Sequence, residues 1–320
     1  MLLAVLDQTS IFSDAGPGVA VRETVDLARE VERLGYRRFW IAEHHGPTSG
    51  CGSPEILVAA AGEATTTLRV GTGAVLLPYY KPLKVATTFN LLSRLFPGRI
   101  DLGVGRGPGA GPATAYLLGG NGPSSFEPKL SELVRMISDD SAAPQFFPKA
   151  DRPELWVMGS GGGSVHTAAR LGLPFSFAQF IHDRPKPEVA DQYRAQFTSG
   201  DTVPRFSLCV RVACADSRED ALALGALAGW LQTAHVSAPS ALKGTMPSWS
   251  ELRELAAPSG PPTASTLIGT PSEVQEQLGE LIAAYRPDEL AVTTACPRFD
   301  LRVRTFELIQ EMCGALVPAG

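Results

Sequence analysis

No apolar run in the 320-residue sequence approaches the ~20 residues that a membrane-spanning helix needs, so a membrane protein is not expected. Cysteine is sparse. There are five, at positions 51, 209, 214, 296 and 313. The number is odd and no C-x-x-C pair occurs, which argues against a disulfide framework and a zinc site and for small, half-buried thiols in a reducing cytoplasm. Positive charge is not in excess either: 28 Lys and Arg stand against 33 Asp and Glu, a net charge of −5. Such a surface has no pull on a phosphate backbone, so nucleic acid is not an expected partner. The start, MLLAVLDQTS, has no basic residue before Asp7 and reads as a first strand rather than a signal peptide. No internal repeat or charge block occurs, and no G-x-S-x-G elbow of a serine hydrolase.

What is present is 44% hydrophobic residues, enough for a sizeable core, in an alternating order. Short β-rich runs lie at 2–6, 38–42, 69–72, 100–104, 155–158, 175–178, 206–213 and 289–293. Helical patterns at 21–34, 56–64, 83–95, 129–137, 165–171, 188–197, 217–231, 275–285 and 302–312 separate them. In the first helix Val21, Val25, Ala28, Val31 and Leu34 recur at spacings of three and four, with Gly35 as the stop. Strand–helix alternation implies a parallel sheet with right-handed crossovers. Eight such units in a chain of this size favour a single (β/α)8 TIM barrel over residues 1–320. Two stretches break the rhythm. Residues 105–123 are rich in glycine and proline and read as a long loop. Residues 235–265 carry Pro239, Pro247, Pro258, Pro261 and Pro262 and read as an insertion, either a mobile lid or an inert surface loop.

In a barrel the active site lies at the C-terminal ends of the strands, so the residues that follow each strand matter most. These include Glu43-His44-His45, Thr72-Gly73-Ala74, Gly105-Arg106-Gly107, the run from Gly159 to Ser164, and Gln179. Two adjacent histidines point to opposite sides of a strand and rarely share one ion, so no metal is expected. A histidine facing the pocket suits acid–base work, because its ordinary pKa lies near neutrality; a structural histidine is the competing reading. The glycine run between a strand and a helix suits an anion, since helix N-terminal N–H groups bind phosphate and glycine admits it closely. Ser160 and Ser164 add hydroxyl donors, and Arg106 a guanidinium suited to oxyanions. The run 105–110 also matches the loose G-x-G-x-x-A pattern, but Pro108 and Pro112 oppose a helix starting there.

At these residues the sequence resembles the bacterial luciferase-like monooxygenases. GYRRFWIAEHH (35–45), LRVGTGAVLLP (68–78) and PGRIDLGVGRG (97–107) are similar to that family's second, third and fourth strands. LWVMGSG (155–161) and RLGLP (170–174) resemble its phosphate-loop region, and IGTPSE (268–273) and DEL (288–290) its last units. Residues 110–150 and 235–265 fall outside the likeness. The resemblance implies a TIM barrel that binds FMN at the strand C-termini. Arg106, Ser160, Gly161, Gly162 and Ser164 would hold the phosphate, and Glu43, Gly73 and Ala74 would lie near the isoalloxazine ring, with a cis peptide at Gly73–Ala74. His44 would be the catalytic residue, acting on a flavin C4a-(hydro)peroxide formed from reduced FMN and O2, while His45 turns into the wall.

The luciferase subunits carry a cysteine at the position of Gly105 and a tryptophan where this chain has Gln179. The reactive thiol is thus absent, light emission is not expected, and Gln179 becomes a candidate substrate contact. The implied activity is a two-component monooxygenase acting on a small organic molecule, supplied with reduced FMN by a separate NAD(P)H:flavin reductase, as a cytoplasmic homodimer. Its Ala-, Gly-, Pro- and Arg-rich composition fits a GC-rich genome, where such enzymes tailor secondary metabolites such as antibiotics. The alternatives are an F420-dependent oxidoreductase and a non-catalytic flavin-binding partner subunit. An intact His44 and phosphate loop count against the second.

Overall fold

The computed structural model describes residues 1–109, 111–120, 122–138, 152–198, 203–237, 246–256 and 265–316, with the side chains at 228, 231–237 and 315–316 left aside. The strands run β1 (Leu2–Asp7), β2 (Arg38–Ile41), β3 (Arg69–Leu76), β4 (Ile100–Gly105), β5 (Glu154–Gly159), β6 (Phe175–Ala178), β7 (Phe206–Cys214), β8 (Thr266–Gly269) and β9 (Glu289–Thr293). All their pairings are parallel. β1 to β7 pair in sequence order, and β9 bridges β7 and β1. The eight segments read as strands from the sequence thus form one closed (β/α)8 TIM barrel. β8 was not anticipated as a strand. It lies outside the ring and pairs with the last residues of β7, Thr266 opposite Arg211 and Gly269 opposite Cys214.

Around the barrel lie α1 (Pro17–Arg33), α2 (Pro54–Ala64), α3 (Pro82–Leu95), α4 (Pro112–Leu117), α5 (Phe126–Ser138), α6 (Gly162–Arg170), α7 (Glu188–Gln196), α8 (Arg218–Ser237), α9 (Trp249–Ala256), α10 (Pro271–Tyr285) and α11 (Phe299–Leu316). Local chemistry sets their ends. α1 opens with Pro17 in its first turn, buries Thr24, Leu27, Ala28 and Val31 on one face, and stops at Gly35, whose φ of +83° glycine adopts without strain. α10 opens on a capping box, in which Glu273 accepts the Thr270 backbone N–H at 2.9 Å. No described helix is long and apolar enough to cross a membrane.

Two expectations need correction. The stretch 105–123 is not all loop: it holds α4, where Pro112 occupies the first turn instead of blocking a helix, and a 3-10 turn at Pro123–Ser125. Nor is 235–265 a plain insertion. α9 lies inside it, and Met246 and Leu252 are buried in a cluster with Phe12 and Leu227. Backbone bonds between Met246 and Ile11 (2.7 Å) and between Ser13 and Met246 (2.8 Å) tie this piece to the loop after β1. The rest of the expected lid, 238–245 and 257–264, lies outside the described residues.

Strand alternation divides the core in two. The outward residues, such as Phe39, Val70, Leu102, Val157, Phe175 and Leu208, form the large cluster beneath the helices. The inward residues fill the lumen in layers. At the N-terminal end Arg38 donates to Asp101 (2.7 Å), Glu154 (2.7 Å) and Glu289 (2.8 Å), and Trp40 Nε1 donates to Asp101 at 2.9 Å. Burial opposes the Arg38 charge, but the three carboxylates more than restore it. Above this lie Trp40 and Trp156, with ring centroids 5.3 Å apart, packed with Leu6, Cys209 and Ala291. β4 supplies glycine where it meets β3 and Met158. A Cβ on Gly103 would stand 2.0 Å from the Thr72 carbonyl oxygen and 2.5 Å from Met158 Cε. The five cysteines are free and fully buried, not half-buried, and burial pushes the Cys51, Cys209, Cys214 and Cys296 thiols up to about 12.

One carboxylate ties α1 to the turn before β3. Glu32 accepts the N–H groups of Thr66, Thr67 and Leu68 at 2.9, 2.6 and 2.9 Å. Burial alone would raise its pKa, but these bonds hold it at about 2, against an ordinary value of 4.5. The unfolded glutamate titrates at the ordinary value, so this stabilisation is complete above that pH and is lost as the pH falls toward 2. Urea unfolding from about pH 5 to about pH 2 should show a shallower loss of stability for Glu32→Gln than for the wild type. Parallel curves would remove Glu32 from the account.

Candidate functional site

The C-terminal mouth of the barrel opens into a cavity of about 800 Å³. That is within the range of cofactor and small-molecule sites. The opening follows from the inward register, because β3 and β4 present Gly73, Ala74 and Gly105 there instead of large side chains. The Gly73–Ala74 peptide bond is cis. A Cβ on Gly73 would meet Leu6 Cδ1 at 2.6 Å, and one on Gly105 would stand 3.2 Å from the Ala74 Cβ, so the wall accepts little bulk at either position.

Glu43 organises this side of the site. It is 2% exposed, yet its carboxylate is met by three donors from two segments, the loop after β2 and the end of β3 with the loop that follows. Its carboxylate accepts the Leu76 N–H at 2.8 Å, the Tyr80 hydroxyl at 2.7 Å and His45 Nε2 at 2.7 Å. Burial, and then the hydrogen bond to Glu43, pushes the Tyr80 phenol well above its usual range. His45 is held again through its backbone N–H, which donates to the Gly109 carbonyl at 2.7 Å, and its ring meets Tyr79 edge-on. His44 lines the cavity and His45 does not. Strand alternation is not the reason. β2 ends at Ile41, and Ala42, Glu43 and His44 all line the cavity in succession. The grip of Glu43 and Gly109 is what turns His45 away.

Across β4 and β5 the mouth is built for an anion. Ser160, Gly161 and Ser164 line the cavity together with Arg106. The chain enters α6 through Gly161, with no side-chain cap and no acidic residue in the first turn. A Cβ on Gly161 or Gly162 would meet nothing within 4 Å, while one on Gly163 would stand 2.9 Å from Arg106 Nη1. The exposed guanidinium thus lies over the uncapped helix start, where donors converge and no side chain fills the space. A phosphate group fits these residues. Gly162 belongs to this turn without lining the cavity. His182, not anticipated from the sequence, donates from Nε2 to the Ser160 carbonyl and stacks on Phe177 with centroids 5.4 Å apart, which fixes the turn.

Gln179 is not at the cavity. It is buried behind β6, where it donates to the Arg184 carbonyl at 3.0 Å and accepts the Tyr285 hydroxyl. The apolar wall comes instead from Leu6, Trp40, Met158, Phe180 and Ile181. Arg211 also lines the cavity. The signal that could have found it is a charged residue in the inward register of β7, in step with Cys209.

A barrel with a phosphate-shaped cradle and a histidine at its C-terminal mouth is the framework of many α/β enzymes, and the sequence decides among them. Residues 1–286 match the family described as luciferase-like monooxygenase, and the chain belongs to that family of oxidoreductases. It is 35% identical to the protein YwcH of Bacillus subtilis (strain 168), over 97% of this chain and 98% of that one. It is 36% identical to the N-acetyl-S-alkylcysteine monooxygenase of the same organism, over 68% of this chain and 69% of that one. Among solved structures, apo-MsnO8 matches with a TM-score of 0.89 and 32% identity, covering 99% of both chains.

Removing Glu43 should be costly, because three donors lose their acceptor in a buried place. Glu43→Ala is expected to destabilise the protein by about 2–4 kcal/mol, and Tyr80→Phe by about 1 kcal/mol, measured by urea unfolding. A neutral Glu43→Ala would show that the ends of β2 and β3 hold together without it.

Proposed function

We propose that the chain is a two-component flavin-dependent monooxygenase, which receives reduced FMN from a separate NAD(P)H:flavin reductase and uses O2 to oxygenate a small organic substrate. The observation that carries this reading is the cradle at α6, where the Arg106 guanidinium lies over an uncapped, glycine-lined helix start on the same cavity as His44. When bound, reduced FMN supplies the electrons with which O2 is activated. The chain's own groups bind, orient and protect. Arg106, Ser160, Ser164 and the first-turn N–H groups of α6 hold the phosphate. Gly73 and Ala74 leave a flat wall for the ring system. Glu43 fixes that wall from behind. Leu6, Trp40, Met158 and Phe180 keep water away from the reacting atoms. His44 gives or takes the proton that accompanies oxygen transfer. A separate NAD(P)H:flavin reductase is the partner that this reading requires. A second copy of the chain and a tailoring role in secondary metabolism complete the proposal.

Anaerobic titration with reduced FMN tests the cradle. Arg106→Ala should weaken binding by about 1.5–3 kcal/mol, while His44→Ala should leave it unchanged. On a substrate that the wild type oxygenates, His44→Ala should lose about 10²–10⁴-fold in product and release hydrogen peroxide instead. Preferential binding of F420, or an Arg106→Ala variant with unchanged affinity, would overturn the proposal.

A further inference from the structure

The cavity holds a second cation that the flavin does not use. Arg211 sits in the inward register of β7, opposite Thr293 of β9 and Thr266 of β8. The ring order places β7 four strands from β3 in either direction, so Arg211 faces the Gly73–Ala74 wall across the lumen. Its guanidinium lies 5.0 Å from the centroid of Phe180. Among the described residues it makes no ion pair. Asp183 lines the same cavity, but the ionisable group that acts on Arg211 is the Cys209 thiol, which burial pushes up to about 12 and so keeps neutral. Burial lowers the arginine's pKa, yet a guanidinium stays charged in proteins.

Arg211 is half-buried in the cavity wall and makes no ion pair among the described residues, so its guanidinium is placed to receive an anion that enters the cavity. The one phosphate of FMN already has Arg106 and α6 on another wall. Building on the flavin reading, we infer that Arg211 is the specificity-determining residue for a substrate that is an organic acid. Its carboxylate meets the Arg211 guanidinium, and its apolar body lies on Phe180, Ile181 and Met158, with the carbon or heteroatom to be oxygenated toward the Gly73–Ala74 wall. Arg is suited to this because its fork pairs with both oxygens of a carboxylate.

The test uses the full chain and a matched pair of probes, 3-phenylpropionate and its uncharged amide, titrated by calorimetry with and without FMN. The wild type should prefer the carboxylate on the order of tenfold, the range for a charge-assisted hydrogen bond. Arg211→Met should abolish that preference, and Arg211→Lys should keep part of it. FMN affinity of Arg211→Met should stay within about twofold of the wild type. Its melting temperature should not fall, since among the described residues no ion pair is lost with Arg211. The inference is overturned if the wild type shows no carboxylate preference or if Arg211→Met retains it. It is equally overturned if that variant loses FMN affinity about tenfold, which would assign Arg211 to the cofactor, or if its melting temperature drops, which would mean the guanidinium is already satisfied. A wild type that ignores FMN but discriminates the probes through Arg211 would sink the flavin reading and leave this one standing.

Discussion

Every feature of this molecule depends on one constraint: alternate residues of eight parallel strands must share a single lumen. The space is finite, so each layer has its own solution. At the base Arg38, Arg69 and Arg205 are paired in one network with Asp101, Glu154 and Glu289. In the middle two tryptophans pack with Leu6, Cys209 and Ala291. At the top the inward positions of β3 and β4 are small, and the lumen becomes a cavity. The lower layers are thus a floor for the site. Breaking one partner of the Arg38 network would leave carboxylates buried without compensation, which is far costlier than losing a surface pair.

The mouth divides its labour by charge. Glu43 is negative, but it is consumed by three donors and acts as a structural tie between the ends of β2 and β3. Two cations line the open space, Arg106 with the start of α6 on one wall and Arg211 on another, with Asp183 as a further charged lining residue. A mildly acidic protein thus places two guanidinium groups at its mouth, and overall net charge says little about where they stand. Between the two arginines the walls are apolar and aromatic, which suits planar rings and hydrocarbon more than a free polar metabolite.

Much of this was legible in the residues. The eight barrel strands were read correctly because buried parallel strands appear as short β-rich runs separated by amphipathic helices. The glycine run at 159–163, Arg106 and His44 stood out because each follows a strand. Other features were not legible, for physical reasons. Gln179 looked like a rim residue, but the 3-10 turn Gln179–Ile181 rotates it inward to Tyr285 and presents Phe180 to the cavity. His45 lies off the cavity for a cause other than the strand alternation expected, because a hydrogen bond to Glu43 two residues back does not show in a strand pattern. α4 and α9 were hidden by proline, which forbids a helix interior but favours its first turn. Arg211 was missed because an inward charge in a strand has meaning only once the lumen around it is known.

The central claim is that the phosphate end of FMN belongs at α6 and its reactive ring at the β3 wall beside His44. A crystal structure of the full chain with FMN tests this most directly. The account predicts the phosphate within hydrogen-bonding reach of Arg106 and Ser160, the ring system against Gly73–Ala74, and His44 rather than His45 facing the ring. A phosphate bound elsewhere, at the base of the barrel or against Arg211, would contradict it.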